Sequence, residues 1–590
     1  MSRLYAASKE PVSTHCLNLA IVHSQSIRVE EELLLRRLKY VEAGYALDRC
    51  CMEGTRQYIL DQIMAWVENP QEQNTYWLYG LPGVGKSSLA HSICENLHTQ
   101  QRLAGAFFCR RDDPDLREPK NILQAFIYKL ALIFPPFRTV VAERLRNDQD
   151  LTPNMMGDTL FLDFIRSLPC HPDHALVLVI DALDECGDTQ SRTDLLKVLT
   201  DAAAQALWLK IIITSRPEGD IERFFDGLTQ SSYCAYDLGK DKDANTDLRT
   251  FAQSQFDLVA SEWYLSAPWP EESVFDRAIS RADGLFTFIK TLVLVLQESN
   301  DPEESLNATL QDSDSAGLES LYELYSTTLQ ARIAPGDAEF QRVIGVLLAT
   351  APYRALCEET IGELAGVNPN LVKTWVGDLG SLVYRDNRGI RVQHASISDF
   401  FLSDHCDYQV NLGDTNALLS VVCLKTMVGQ LCFNICKLGD SRLANANVED
   451  LPSRIKQNIS SLLQYSSLYW SNHLCLTPDT GDQRVWTGLK EFFEGLYPIF
   501  WIEVLSIMGM VPIAVPSLQR VMSWVKVSTT PVCHQMNLIC YRMPIRLFLR
   551  ESRISVISSR PSTPPSLSAH HTFIFQHNPS YSHSRRYQAP

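Results

Sequence analysis

The chain has 590 residues, enough for roughly three to five domains. Hydrophobic residues make up 45% and charged residues 21%, which excludes a disordered or fibrous chain and leaves a globular one. The net charge of −16 argues against a broad nucleic-acid-binding surface; the sixteen scattered cysteines, with no CxxC pair and no zinc-type spacing, read as reduced thiols of a cytoplasmic protein.

Residues 1–47 read as an N-terminal helix and linker. "VEEELLLRRLKYVEA" has a helical period and both charge signs, which predicts one exposed helix, and the first residues lack the apolar run of a secretion signal. From Cys50 the pattern becomes regular. A helix carrying Ile59, Ile63 and Trp66 leads to a short apolar strand, and then comes "GLPGVGKSS". Gly80, Gly85, Lys86 and Ser87 stand at the fixed positions of G-x-x-x-x-G-K-[ST]. The glycines let backbone N–H groups turn inward as an anion nest, and the following helix aims its N-terminal dipole at the same point. Over Gly80, Leu81, Pro82, Gly83, Val84, Gly85, Lys86, Ser87 and Ser88 the expectation is a phosphate cradle. Lys86 would reach the β and γ phosphates, and the Ser87 hydroxyl would hold Mg²⁺. The bland alternative is a glycine turn before a helix. The strand before the loop and the helix after it favour the cradle.

Next come a strand in "LAGAFFCRR", a buried helix in "NILQAFIYKLALIF" ended by Pro135-Pro136, and a strand in "ALVLVIDALDECGD". The helix "LLKVLTDAAAQAL" follows, then the strand of "LKIIITSRPEGD" and a fifth in "SSYCAYDLG". Continuous apolar strands alternating with helices predict a parallel sheet covered on both faces over residues 48–240. Asp181 ends the third strand, expected beside the loop, where a carboxylate can hold Mg²⁺. Asp184 and Glu185 follow, one of them a general base for the attacking water, with Glu185 the preferred choice. Arg216, at a strand tip, is placed to contact a γ-phosphate. The "AGAFF" strand stands between the loop strand and the Asp181 strand in sequence, which favours hydrolysis over transfer to a small acceptor.

Residues 241–335 read as helical. Residues 336–408 show three helical patterns, two short strands around "DNRG" and a further helix, the order of a winged helix. The helix that would read DNA, "NLVKTWVGDLG", has one Lys and no Arg, so no nucleic-acid partner is expected. Residues 409–525 read as all-helical without an internal repeat. "IFWIEVLSIMGMVPIAV" contains Glu503 and Pro512, so it is expected to be a packed helix and not a membrane span. Residues 526–590, rich in Ser, Pro, His and Arg, read as a disordered tail.

Taken together, "CCMEGTRQYILDQIMAWVENP", "WLYGLPGVGKSSLAHSI", "VIDALDECGD", "IITSRPEGDI", "ADGLFTFIKT" and "VQHASISDFFLSD" resemble the NACHT family of signalling STAND NTPases, and most closely its fungal NLR-like branch, linked to innate immunity. The resemblance implies an α/β P-loop NTPase followed by helical and winged-helix segments and an all-α region. It also implies bound ATP or ADP with Mg²⁺, slow hydrolysis, and self-association on activation. By motif position Asp181 becomes the Mg²⁺ carboxylate, Asp184 and Glu185 the acidic pair, and Arg216 the sensor. His394 would match a histidine that touches the β-phosphate of ADP; packing at a domain seam is its alternative reading. Relatives carry an N-terminal effector and C-terminal repeats that this sequence does not show, so a non-hydrolysing scaffold or truncated partner of full-length relatives is the alternative function.

Overall fold

The computed structural model describes residues 28–527 apart from 39, 149–157, 230–231, 267, 311–314, 440–444 and 479–481. The expected tail lies, from 528 onward, outside the described residues.

Five strands form one parallel sheet: β1 (Thr75–Tyr79), β2 (Leu103–Phe108), β3 (Leu176–Asp181), β4 (Leu209–Ser215) and β5 (Cys234–Asp237), in the order β2-β3-β4-β1-β5. Every residue of β3 and β4 is buried, as unbroken apolar runs require of strands covered on both faces. The helices that matter for the site are α1 (Gln57–Glu68), α2 (Lys86–Thr99), α3 (Pro119–Ile133) and α4 (Thr189–Gln205). Phe107, Leu178, Ile180, Ile211 and Ile213 share one core with Ile122 and Phe126 of α3 and with Leu195 and Leu199 of α4. The alternate residues Val177, Val179 and Ile212 are equally buried, and α2 packs against β3. A capping box fixes the start of α4: the Asp188 carboxylate accepts from the Ser191 N–H at 2.8 Å, and the Asp188 N–H donates to the Ser191 hydroxyl at 2.9 Å.

Two expectations need correction. The Asp181 strand, expected beside the loop, is separated from the phosphate-loop strand by β4, and "AGAFF", which intervenes only in sequence, is the edge strand β2. Chain order sets which strand is made next, whereas successive crossovers set which strand is its neighbour. The segment at 28–38 is not an exposed helix either. Leu35 and Leu38 are fully buried in the sheet's core, and the Phe108 N–H donates to the Ala43 carbonyl at 3.1 Å. The leucines supply an apolar stripe, and Arg37 caps the Leu145 carbonyl at 2.7 Å.

The chain divides into two compact units. The first holds the sheet, the helices between 244 and 330, the hairpin β6 (Val383–Arg385) and β7 (Ile390–Val392), and α5 (Ala395–Leu402). Around "DNRG" the Asp386 carboxylate accepts from the N–H groups of Arg388 and Gly389, which closes the hairpin. The second unit holds most of three helices (Ala338–Thr350, Glu358–Ala365, Pro369–Asp378) and everything described after Gln409. The elements expected of residues 336–408 thus occur in the expected order, and the division between units runs between the helices and the hairpin.

In the second unit α6 (Leu412–Gln430) packs on α7 (Ser461–Leu476), where Gly488 on a third helix approaches Leu424 so closely that a Cβ would stand 3.3 Å from it. Residues 499–515 are not one helix: a turn at 508–510, with Gly509 at φ +73°, and a short 3-10 turn at Val511–Ile513 separate two. Among the described residues no helix is long and apolar enough to cross a membrane.

Candidate nucleotide site

The loop between β1 and α2 curls because Gly83 and Gly85 stand at φ +91° and +92°, where a side chain is strained. A Cβ on Gly83 would also meet Thr287 at 3.1 Å. The curl is held from outside: the Thr287 N–H donates to the Gly83 carbonyl at 3.2 Å, and the Arg56 guanidinium to the Val84 carbonyl at 2.9 Å. Arg56 is itself fixed by a buried ion pair with Asp241 at 2.5 Å, and its backbone N–H reaches Asp247 at 3.1 Å. Val84 is buried and Leu81 exposed; Pro82, Lys86 and Ser88 lie between, and Ser87 opens to solvent at the start of α2.

The Lys86 ammonium donates to the loop's own Gly80 and Leu81 carbonyls at 2.7 and 2.8 Å. Burial lowers its pKa to about 8, opposed by the neighbouring Asp184 and reinforced by Arg216. At that value it is still mostly charged at neutral pH.

Register brings the strand ends together. Ile180 pairs with Ile213, so Asp181 meets Thr214, whose hydroxyl donates to it at 2.5 Å. Burial raises the Asp181 carboxyl, while hydrogen bonds from Thr214 and Ser87 hold it down. The chain then turns sharply, with Ala182 at φ +54°, into the 3-10 turn Leu183–Glu185. That turn sends the two carboxylates to different partners. Asp184 accepts from the Arg216 N–H at 2.9 Å and pairs with its guanidinium at 3.3 Å. Glu185 accepts from the Arg111 N–H at 3.2 Å. Burial pushes the Glu185 carboxyl up to about 7; Arg111 lowers it and Asp184 raises it.

His394 caps α5. Its Nδ1 accepts from the Ser396 N–H at 3.2 Å, which leaves the proton of the neutral ring on Nε2. Burial pushes its pKa down to about 4, and Arg216 and Lys86 add to the effect, which places the ring within the field of both site cations. Asp181, Arg216 and the loop after β1 stand at the carboxyl ends of their parallel strands, whereas His394 comes from the N-cap of α5, outside the sheet.

Among the residues near this site that were not expected from the sequence are Arg56, Asp241, Arg111 and Asp399. Arg111 carried a usable signal, because it follows a strand tip as Arg216 does. The others are joined to the site only by folding.

The donor set fits a nucleotide with a divalent ion. A hydroxyl, Ser87, stands near enough to a buried carboxylate, Asp181, to help hold its pKa down, beside a glycine curl. Among the described residues no group of three or more His, Cys, Asp or Glu could hold a metal by itself. Mg²⁺ takes few protein ligands and completes its shell with phosphate oxygens and water, so a hydroxyl and a carboxylate would be enough to hold it.

The profile of the nephrocystin 3, N-terminal family matches residues 54–216, a stretch that contains the loop, the acidic strand end and Arg216. No curated protein matches the chain significantly. Among solved structures, the Walker-type ATPase of Pyrococcus abyssi is 15% identical, with a TM-score of 0.30, over 62% of this chain and 99% of that one. The ORC1 protein of Aeropyrum pernix, solved in complex with DNA, is 11% identical, with a TM-score of 0.27, over 60% and 94%. AMPPCP-bound DnaA from Aquifex aeolicus is 12% identical, with a TM-score of 0.26, over 57% and 91%. The sheet, its order and its loop define the class: an α/β P-loop NTPase fold followed by a helix-rich C-terminal region.

Proposed function

We propose that this protein is a NACHT-type switch that binds ATP or ADP with Mg²⁺, hydrolyses ATP slowly, and changes its self-association with the nucleotide held. One observation carries this reading beyond nucleotide binding. Residues of the α5 segment, His394 and Asp399, stand among the charges of the phosphate loop and of the strand ends, so the nucleotide would touch an element about 300 residues downstream. Lys86 would neutralise the β and γ phosphates, and Ser87 and Asp181 would hold the cation that supplies further charge neutralisation. Glu185, with a pKa near working pH, would take the proton from water, whereas Asp184 is committed to Arg216. The Nε2–H of His394 would donate to a phosphate oxygen. We assign no nucleic-acid role, since the chain is acidic and Pro369–Asp378 carries a single lysine. The thirteen free cysteines among the described residues fit a reducing cytoplasm.

The test is to purify the protein, denature it and identify the nucleotide released. About one equivalent of ADP from the wild type and none from Lys86→Ala is expected; losing one charge-assisted contact costs roughly 1.5–3 kcal/mol, about 10- to 150-fold in affinity. Nucleotide retained by Lys86→Ala would sink the site assignment. A second reading, a scaffold that holds nucleotide without turning it over, is favoured by the engagement of Arg216 with both Asp184 and Asp399. Turnover by the pure protein separates the two.

A further inference from the structure

The loop after β2 and the tip of β4 each present an arginine to the same carboxylate. The Arg111 guanidinium pairs with Oδ1 of Asp399 at 3.0 Å, and that of Arg216 with Oδ2 at 2.6 Å. One carboxylate with an oxygen on each of two guanidinium groups has the charge pattern that a terminal phosphoryl group presents to a pair of arginines. The three side chains are 36%, 14% and 24% exposed, so the cluster sits at the mouth of the site and is not sealed in the core. Both arginines also touch the acidic pair: Arg111 through its N–H to Glu185, and Arg216 through its N–H and guanidinium to Asp184.

The segment carrying Asp399 is fixed to the loop that carries Arg111. Arg391 of β7 grips Asp112 at its carboxylate (2.8 Å) and its carbonyl (2.9 Å), and Arg388 reaches Asp113 at 2.9 Å. The hairpin and α5 are therefore held in register with the loop independently of Asp399. The Asp399 carboxylate can leave the two arginines without the segment detaching.

We propose that Arg111 and Arg216 form a two-arginine site for the terminal phosphate of a nucleoside triphosphate, and that Asp399 occupies this site as an internal competitor. This rests on the nucleotide-switch reading and adds a residue, Arg111, and a rule of competition. A triphosphate must displace Asp399, and a diphosphate need not. Asp399 therefore biases the protein toward ADP. When the terminal phosphate takes its place, Arg111 is drawn toward the phosphate, and the N–H that holds Glu185 moves with it.

The experiment measures dissociation constants for ADP and for a non-hydrolysable ATP analogue with Mg²⁺, by calorimetry, on the full chain. The variants are Asp399→Asn, Arg111→Ala, the double variant and Lys86→Ala. Asp399→Asn is expected to strengthen the triphosphate relative to ADP by about tenfold, within the range of ordinary coupling between sites. The added Arg111→Ala change should remove most of that gain. If Asp399→Asn fails to fold, Asp399→Ser replaces it with the same expectation. A wild type that binds both nucleotides, loses them in Lys86→Ala, and keeps its ADP-to-triphosphate ratio within twofold in Asp399→Asn would overturn this inference alone. A wild type that binds neither nucleotide would overturn it together with the switch reading.

Discussion

The two compact units are held together by different physics. In the first, charge bridges long stretches of chain: Arg56 and Asp241 are 185 residues apart, Arg216 and Asp399 are 183, and Arg111 and Asp399 are 288. In the second, the pairs Arg342–Glu339, Arg454–Asp450 and Arg484–Asp482 join near neighbours on a helix or at its start. Its long-range contacts include no ion pair among those described and are led by aromatic packing beside neutral hydrogen bonds such as Asn416 to His473. Trp470 and Trp501 meet edge to face at 5.8 Å, Phe492 packs on both, and the Trp501 indole N–H donates to the Ser467 carbonyl at 2.8 Å. Aromatic packing has one good solution and no ligand to exchange with. An ion pair can trade a carboxylate for a phosphate. The first unit is therefore the one suited to respond to nucleotide, and the second to stay fixed.

The largest expected effect tests the charged unit. Glu185→Gln should keep nucleotide bound and lower hydrolysis by roughly 100- to 10,000-fold, the usual worth of a positioned base. Since the base must be deprotonated and its pKa is raised to about 7, wild-type turnover should fall as pH drops below about 7. Phosphate release followed across pH checks both, and an unchanged rate in Glu185→Gln would remove Glu185 from the chemistry. Next in size, Trp501→Ala should cost about 3–5 kcal/mol of stability, as truncating a fully buried aromatic does. Chemical denaturation with and without ADP measures it. Nucleotide affinity that falls by more than about tenfold would break the contrast between the units, since 1.4 kcal/mol is a factor of ten.

The smallest effect concerns a titrating group inside the second unit. Tyr465 and Asn416 hydrogen-bond the two ring nitrogens of His473 at 2.7 Å each, and burial lowers its pKa from 6.5 to about 3. The folded-state value is depressed, so this histidine's contribution is intact above pH 6.5 and declines as pH falls toward about 3, because the unfolded chain takes up the proton first. Thermal unfolding across that window should show the loss, and His473→Gln should flatten it.

The loop, the acidic strand end and the arginine tip were legible in the sequence because each is a short contiguous pattern at the end of an apolar run. The five strands were legible for the same reason. The order β2-β3-β4-β1-β5 was not, because a strand's neighbours follow from crossovers and leave no mark on its own residues. Asp184 and Glu185 were close to even in the sequence, and their separate partners after the left-handed turn at Ala182 could not be read there, because they come from distant strand ends. The burial of Leu35 and Leu38 was missed because mixed charge along the same stretch resembles a solvated helix. Asp399, in "SISDFF", is an ordinary helical acid until the fold sets it against two arginines.

The clamp on the phosphate loop also bears on how the protein is made. The ribosome has delivered every residue of the loop, of the acidic turn and of the arginine tip by position 216. Asp241, Asp247 and Thr287, which hold Arg56 and Gly83 in place, emerge afterwards. During that interval the nascent chain carries a complete nucleotide motif whose backing is still unsynthesised, with the Arg56 cation waiting for its partner. Thr287, on the helix that starts at Phe286, is the last of these supports to be made, seventy-one residues after Arg216.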